Sequence, residues 1–340
     1  MKILPPTTVP TPIAVFATNN PKWKIQFVSY NKSLAGYLEN QFFDFDNIHV
    51  TTFSRFAADR GHKPSRKDDE DRYFNQMSKN VKKDIDALFI DEYQDFRESW
   101  MTYCMATVID GRGGISIAGD SKQALYRFQP PDKAFAKRKV RTVSLTRPYR
   151  STRQILEVAS RVDSEFKTEG ISEAPEGQEV KLVFGGSWDD QADYISWEIS
   201  RMISEDSRRP GDIAILGAVW NAVKRLESRL DELGVQYAVV GGRDDLVHAP
   251  EWGKITLTTV HSAKGYEFDV VFLMAVEALP NKNQDPEDAK KRRSAYVGPT
   301  RARDELFITY TKRNDIIDKL HDAPTSLISP WTWPDDFKKD

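Results

Sequence analysis

The chain has 340 residues, with 49 Lys+Arg, 51 Asp+Glu and a formal net charge of −2. At roughly 150 residues per domain this length favours two domains, and 39% hydrophobic with 29% charged residues is typical of a globular rather than a disordered protein. The near-neutral charge excludes a histone-like polyelectrolyte but not a nucleic-acid groove, which needs only a local basic stripe.

In chain order, the pattern alternates short apolar runs with amphipathic stretches. Residues 1–22 are rich in proline and predict an extended or disordered lead-in. Apolar runs predict strands over residues 25–29, 47–52, 87–90, 115–118, 180–184, 212–216, 235–240, 255–260, 270–275 and 306–310. Helical patterns lie over residues 32–40, 152–168, 191–203, 218–233 and 286–296, and residues 316–340 indicate an extended tail. This alternation predicts an α/β fold whose parallel sheets are covered by helices.

Cysteine usage and hydropathy indicate the compartment. The single cysteine, Cys104, excludes an intrachain disulfide and is typical of a reducing environment. The longest apolar run, residues 270–279, is too short to span a bilayer. We therefore predict a cytoplasmic protein with no membrane partner. Basic residues cluster at 133–153 and 290–293, where a phosphate-binding stripe and a solvated helix face are alternatives.

Two adjacent carboxylates follow the apolar run at 87–90. Ligands of parallel sheets bind at the carboxyl ends of the strands, which is where Asp91 and Glu92 lie. A hydrated Mg²⁺ held by Asp91, with Glu92 orienting a water, is an arrangement used for phosphoryl transfer. A helix cap at Asp91 is the alternative, and the motif alone does not decide between the two.

Two further segments suit nucleotide or base contacts. In the first, Gln123 can sense a terminal phosphate, and Tyr126 or Phe128 can stack on a base for about 1–3 kcal/mol. In the second, Arg150 beside Tyr149 can bridge a phosphate and cover an adenine face. The alternatives are helix caps and aromatic side chains that only pack in a core.

Two segments of the second half carry similar chemistry. The loop after the strand at 255–260 offers hydroxyls, amides and Lys264 for phosphate contacts, although a lone histidine such as His261 is more often structural. Before the strand at 306–310, the segment 293–303 can aim a guanidinium at developing phosphate charge. A basic helix end is the alternative.

In this order and spacing, the segments resemble superfamily 1 DNA helicases of the UvrD/Rep/PcrA type. The matching segments are the Walker B box at 91–95, Gly-Asp-x-x-Gln-x-Ile-Tyr-x-Phe at 119–128, the last three residues of Asn-Tyr-Arg-Ser at 149–151, Thr-x-His-x-x-Lys-Gly-Leu-Glu-Phe at 259–268 and Tyr-Val-x-x-Thr-Arg-Ala at 296–302. Residues 27–38 and 51–54 are similar to the two DNA-contacting motifs that precede Walker B.

The resemblance implies two RecA-like domains with ATP between them and single-stranded DNA across their top. The implied divisions are a lead-in at 1–22, a first domain at 23–144, a second at 145–315 and a tail at 316–340. Asp91 would hold Mg²⁺ and Glu92 would activate the attacking water. The other implied nucleotide contacts are Gln123, Arg150 and Arg301 at the γ-phosphate, Tyr149 at adenine, and Glu267 with Gly265 near the ribose. Six further residues would, by the same resemblance, contact single-stranded DNA or couple it to the ATP site: Asn31, Thr52, Phe53, Tyr126, Phe128 and His261.

The sequence also departs from the family. No Gly-x-x-x-x-Gly-Lys-Ser/Thr loop occurs in the 340 residues. If residues 13–17 are a strand, too few residues separate them from the strand at 25–29 for a loop and helix. We therefore expect the first domain to lack that helix and to be truncated at its N-terminus. The accessory insertions of both domains are reduced to residues 61–84 and 242–255.

Three interpretations stay open. The chain is an ATP- and Mg²⁺-dependent DNA helicase or translocase, a fragment or degenerate member whose Walker A block is encoded upstream of Met1. Alternatively, it is a non-catalytic module that binds single-stranded nucleic acid. In the third interpretation, a partner chain supplies the missing strand and loop. Single-stranded or partially duplex DNA is the expected partner by resemblance.

Overall fold

The protein divides into two compact units, Met1–Thr142 and Val143–Asp340. The computed structural model describes residues 10–30, 32–65, 68–119, 141, 150–162, 170–206, 208–241, 250–251, 253–279 and 295–336. Within these ranges, no helix is both long and apolar enough to cross a lipid bilayer. The predicted helix at 286–296 and both basic clusters lie largely outside them. The predicted domain limits of 23–144 and 145–315 stay predictions.

The first unit contains a four-stranded parallel sheet in the order β2-β1-β3-β4. The strands are β1 (Ile25–Ser29), β2 (Ile48–Thr52), β3 (Ala87–Asp91) and β4 (Gly114–Ile117). The helices are α1 (Pro10–Asn19), α2 (Lys32–Gln41), α3 (Phe53–Ala58), α4 (Glu70–Met77) and α5 (Glu98–Ala106). Successive strand residues point to opposite faces, so Ala87 packs with α1 and α2 whereas Leu88 packs with α3, α4 and α5. Helices therefore cover both faces of the sheet.

The second unit contains a seven-stranded parallel sheet in the order β11-β5-β10-β9-β6-β8-β7. The strands are β5 (Val180–Phe184), β6 (Ile213–Gly217), β7 (Tyr237–Val240), β8 (Ile255–Thr259), β9 (Phe268–Met274), β10 (Ala302–Tyr310) and β11 (Ile328–Thr332). The helices are α6 (Arg153–Val162), α7 (Trp188–Ser204), α8 (Trp220–Glu232) and α9 (Asp315–His321). Helices α7 and α8 share a core with the central strands, where Phe272 stacks on Phe307 with ring centroids 4.6 Å apart.

The predicted α/β fold with parallel sheets is confirmed, and a strand is present at each of the ten predicted positions. The largest difference in a strand boundary is in β10, which begins at Ala302 rather than at residue 306. Residues 303–305 of β10 are charged and lie at a register shift against β9, so the start of this strand lacks the apolar alternation by which strands are recognised.

The expected extended lead-in at residues 1–22 is wrong over Pro10–Asn19, which form α1. Ile13 and Ala17, one helical turn apart, are both buried against β1 and α2. Prolines are tolerated in the first turn of a helix, where the backbone N–H groups have no intrahelical partner. The apolar run at 13–17 is therefore helical, and the expectation that no helix precedes β1 is also wrong.

The expected extended tail at residues 316–340 is wrong as well. Asn314 caps α9 by accepting hydrogen bonds from the backbone N–H groups of Ile316 and Ile317. Beyond this helix, β11 pairs in parallel with β5 and forms an edge of the sheet. Pro330 lies within β11, a position that only an edge strand tolerates because proline cannot donate to the ladder. Pro330 thus occupies a position compatible with regular structure.

An ion cluster beside the first sheet gives a test of stability. Asp84 lies 3.1 Å from the ammonium of Lys24 and 2.7 Å from the guanidinium of Arg60. Burial by itself would raise the pKa of the Asp84 carboxyl, but the hydrogen bond from Lys24 and the charge of Arg60 hold it below its usual range. Because the folded-state pKa is depressed, the stabilisation is complete above the unfolded pKa of about 3.9 and is lost as pH falls through the folded value.

We expect Asp84→Asn to lower the free energy of unfolding of the first unit by roughly 1.5–3 kcal/mol near neutral pH, and by less in acid. Urea unfolding of wild type and Asp84→Asn, at neutral pH and at an acidic pH, measures the difference in the free energy of unfolding. Asp110→Asn is the control, because its partner Lys83 is exposed and Asp110 is 88% exposed, so little change is expected. If Asp84→Asn and Asp110→Asn lowered the free energy of unfolding equally at neutral pH, the stabilising role of the cluster around Asp84 would be contradicted.

Candidate functional site

The carboxyl edge of the first sheet brings three strand ends into one row. Thr52, Ser29 and Asp91 are the last residues of β2, β1 and β3, and the register pairs Ser29 with both of the others. Parallel strands lie about 4.8 Å apart, so the backbones of Thr52 and Asp91 are roughly 10 Å apart. The structure thus places two predicted site residues at the edge where ligands bind. Ser29 was not predicted, although it lies in the segment 27–38.

Glu92 has a backbone conformation that is rare for a residue with a side chain. Its φ of 54° and ψ of 43° are left-handed, which costs about 1–2 kcal/mol in a non-glycine residue. The Glu92 N–H donates to Asp91 Oδ1 at 2.9 Å, and the side-chain amide of Gln94 donates to the Glu92 carboxylate. Asp91 therefore does not cap the turn Tyr93–Asp95 that follows, and the Glu92 carboxylate is held in a defined orientation.

The two carboxylates fit one mode of Mg²⁺ binding. In the described part of the chain, no cluster of three or more His, Cys, Asp or Glu side chains could hold a metal. Mg²⁺ does not need such a cluster when it is bound through one or two carboxylates, waters and substrate phosphates. Asp91 and Glu92 supply hard oxygen donors of this kind. Metal binding by Asp91 stays a prediction.

The end of β4 packs directly against this turn. The Tyr93 N–H donates to the Ala118 carbonyl at 3.1 Å. A Cβ on Gly119 would lie 2.2 Å from Gln94 Oε1 and 2.5 Å from Tyr93 Cδ1. Only a residue without a side chain therefore fits at 119 while Gln94 holds Glu92. The predicted site residues Asn31, Gln123, Tyr126, Phe128 and Tyr149 lie outside the described residues.

Phe53 requires a correction. Its side chain is 2% exposed and stacks on Trp100 with ring centroids 4.4 Å apart, and Phe74 lies 4.9 Å away. A ring packed in this core is not available to stack on a base, so the expected direct contact of Phe53 with DNA is wrong. Phe53 begins α3, whose buried residues Phe56 and Ala57 follow at helical spacing. That spacing is the sequence signal for a core position.

In the second unit, two predicted arginines meet one short segment, residues 265–267. Arg301 donates to the carbonyl of Tyr266 at 3.3 Å and to that of Val297 at 3.2 Å, and it is only 7% exposed. The guanidinium of Arg150 forms an ion pair with Glu267 Oε1. Gly265 has a φ of 86°, a left-handed conformation that glycine adopts without a steric penalty. The structure therefore brings together Arg150, Arg301, Gly265 and Glu267.

The backbone next to Arg150 is anchored to the start of β10. The Ser151 hydroxyl donates to the Ala302 carbonyl at 2.6 Å, and the Thr152 N–H donates to the Arg303 carbonyl at 3.1 Å. Both Ser151 and Thr152 are buried. These bonds hold the Arg150 backbone in place while its side chain remains 53% exposed.

Arg303 is a site residue that the sequence does not single out from the basic segment 293–303. Its Nη2 and Nε donate to Glu267 Oε2 at 3.2 and 3.4 Å. The family motif that includes Arg301 ends at Ala302, so the resemblance gives no signal for Arg303.

His261 lies on the turn after β8, where its side chain is exposed. The neighbouring Ser262 packs so closely on Gly241 that a Cβ there would lie 2.3 Å from the Ser262 hydroxyl. The Ser262 N–H also donates to the Thr259 carbonyl at 3.0 Å. The turn thus presents His261 on the surface of the second unit. Its contact with DNA stays a prediction.

Two family models match the chain in consecutive order. The model of the UvrD/REP helicase N-terminal domain matches residues 12–139, and the model of the UvrD-like helicase C-terminal domain matches residues 242–313. The first match contains Asp91, Glu92 and Gly119. The second contains Gly265, Glu267 and Arg301.

The chain is also similar to individual proteins that are named as DNA helicases. The chain is similar to DNA helicase II of Rickettsia typhi, with 41% identity over 85 residues, which cover 23% of this chain and 13% of that protein. It is also similar to ATP-dependent DNA helicase PcrA of Bacillus subtilis, with 26% identity over 227 residues, which cover 64% of this chain and 28% of that protein. The match therefore spans far less than two thirds of either relative.

A solved structure, the C-terminal domain of a possible DNA helicase from the Lactobacillus strain WCFS1, shares 21% identity with this chain. The alignment covers 54% of this chain and 99% of that one, with a TM-score of 0.38.

Proposed function

This chain belongs to the UvrD/Rep/PcrA-type helicase family, and we propose on that basis that it couples ATP hydrolysis to movement along single-stranded DNA. The observation that carries the proposal is the presence of both family domains, in order, in one chain. The DNA substrate is inferred from the relatives, which are named as DNA helicases.

The first unit supplies the carboxylates. Asp91 would hold Mg²⁺, and Glu92 accepts the proton of the attacking water. The buried Gln94 holds the Glu92 carboxylate, which limits its rotation and keeps the base in one position. When bound, Mg²⁺ supplies positive charge that offsets the charge developing on the phosphates.

The second unit supplies two arginines that differ in exposure, Arg301 and Arg150. The guanidinium of Arg301 is buried and bonded to two backbone carbonyls, which favours a fixed phosphate contact. The side chain of Arg150 is half exposed and ends on the Glu267 carboxylate, so it can turn towards a phosphate without movement of its backbone. Glu267 binds the ribose in this proposal, with Gly265 beside it.

DNA binding is proposed for both units. Thr52 ends β2 at the same edge as Asp91, so a strand bound there lies close to the carboxylates. His261 supplies a contact from the second unit. Binding to the phosphate backbone releases counterions, so affinity is expected to fall steeply as salt is raised.

A second function, DNA binding without hydrolysis, is favoured by one observation. No Gly-x-x-x-x-Gly-Lys-Ser/Thr loop occurs in the printed residues. In P-loop enzymes the amides and lysine of that loop surround the phosphates with positive charge. A chain without such a loop would retain the carboxylates and arginines and could bind DNA, but it would hydrolyse ATP slowly or not at all.

Measuring ATP turnover with and without a single-stranded oligonucleotide tests the proposal, with DNA binding followed in the same preparation. We expect DNA to stimulate turnover severalfold at saturating ATP. Salt-dependent DNA binding without any turnover would instead support the non-catalytic function. Turnover per chain that rises with protein concentration would support the interpretation in which a second polypeptide supplies missing elements.

A further inference from the structure

A bulge in β10 determines where Arg303 lies. Ala302 pairs with Phe268 on β9, but the next pair joins Glu305 to Val270. Two residues of β10, Arg303 and Asp304, therefore lie opposite the single residue Asp269. Bulges of this kind bend the strand and redirect a side chain. Here the side chain of Arg303 reaches the Glu267 carboxylate.

Glu267 lies between two arginines that differ in exposure. Its Oε2 accepts from Arg303 at 3.2 Å, and its Oε1 pairs with Arg150. The Glu267 side chain is 12% exposed, that of Arg303 is 23% exposed and that of Arg150 is 53% exposed. The pair with Arg303 is therefore the better shielded of the two, and the pair with Arg150 is the one that solvent or a ligand reaches first.

Arg303 also lies beside a second carboxylate, that of Asp269. Its Nη1 lies 3.8 Å from Asp269 Oδ1. Burial raises the pKa of the Asp269 carboxyl, and the charges of Asp212 and Asp304 raise it further. Arg303 and Arg208 oppose this rise. A glutamate side chain that is only 12% exposed needs a cation that stays in place, because an uncompensated charge there is costly.

We propose that Arg303 is a positioning residue that holds and neutralises Glu267, so that Arg150 can leave the glutamate for a nucleotide phosphate. This inference rests on the proposed ATP-dependent function. In the absence of nucleotide, Glu267 shares the two arginines. When a phosphate attracts Arg150, Arg303 remains on Glu267 and keeps its carboxylate oriented for the ribose.

Kinetic measurements can distinguish a positioning role of Arg303 from a merely structural one. In Arg303→Met, Arg150 becomes the main cation on Glu267 and is retained there, so kcat falls on the order of tenfold or more. Adding Glu267→Gln removes the charge that retains Arg150. The double variant should therefore recover most of kcat. Its KM for ATP should be higher than that of wild type, because the contact of residue 267 with the ribose is impaired.

The experiment measures kcat and KM for ATP in wild type, Arg303→Met, Arg303→Lys and Arg303→Met/Glu267→Gln. Arg303→Lys retains the charge and should keep kcat close to that of wild type. Arg313→Met is the matched control, since Arg313 is exposed and lies 3.6 Å from a surface carboxylate, Asp318. Failure of Glu267→Gln to recover kcat in the Arg303→Met background would overturn the proposal.

A second measurement needs no nucleotide and remains decisive if wild type has no turnover, a result that would count against the proposed function. Arg303→Met should lower the thermal midpoint by roughly 2–4 °C, and Arg150→Met should lower it less. The effect of Arg303→Met should shrink in a Glu267→Gln background. A larger loss for Arg150→Met, or additive effects of Arg303→Met and Glu267→Gln, would overturn the proposed pairing.

Discussion

Replacing Glu92 by glutamine is expected to lower ATP turnover by about 10²- to 10⁴-fold, which is the usual contribution of a general base. An amide has nearly the shape of a carboxylate, but it does not accept the proton of the attacking water. The bond from Gln94 can persist to the amide oxygen, and the left-handed backbone at Glu92 is unchanged. The measurement is steady-state ATP turnover with saturating single-stranded DNA.

DNA binding is the companion measurement for this variant. Affinity for single-stranded DNA should stay within a fewfold of wild type, because Glu92→Gln removes no cation and no stacking ring. Glu98→Gln is the control: Glu98 is an exposed acidic residue in the first turn of α5, in the same unit. Its turnover should match wild type. If Glu92→Gln retained full turnover, the proton would have to go to another group.

Replacing Gly119 by alanine is expected to disturb both stability and turnover. The new methyl carbon would lie 2.2 Å from Gln94 Oε1 and 3.0 Å from the Tyr93 backbone nitrogen. Gln94 is buried, so its side chain has little space in which to move aside. Overpacking of this kind costs roughly 1–3 kcal/mol. Displacement of Gln94 also releases Glu92, and misplacing a catalytic group by about 1 Å costs on the order of 10²-fold in rate.

Urea unfolding and ATP turnover measure the two effects of Gly119→Ala. Gly36→Ala is the matched control, because Gly36 lies in α2 of the same unit and nothing lies within 4 Å of its added methyl carbon. Alanine in a helix is favoured over glycine by about 0.5–1 kcal/mol, so Gly36→Ala should be stabilising, with normal turnover. Equal behaviour of the two variants would contradict the close packing at Gly119.

Local pattern explains why the strands could be predicted. A buried parallel strand such as β3 is a short apolar run bounded by acidic residues, and that pattern is visible without tertiary information. The ends of the chain were harder to predict, because prolines at 10, 12 and 330 suggested irregular structure. Those prolines lie in the first turn of a helix and in an edge strand, and only the tertiary structure shows those positions.

The candidate site divides in the same way. The sequence by itself determined that Asp91 and Glu92 follow a buried apolar run, and that Arg150, Glu267 and Arg301 belong to ordered motifs of one family. Only the tertiary structure decided that Phe53 is buried against Trp100, that Gly119 must lack a side chain, and that Arg303 shares Glu267 with Arg150. Motif residues lie close together in the sequence, so their order can be read directly. The contacts of Phe53, Gly119 and Arg303 depend on helix packing, strand register and a bulge, which form only when distant segments pair.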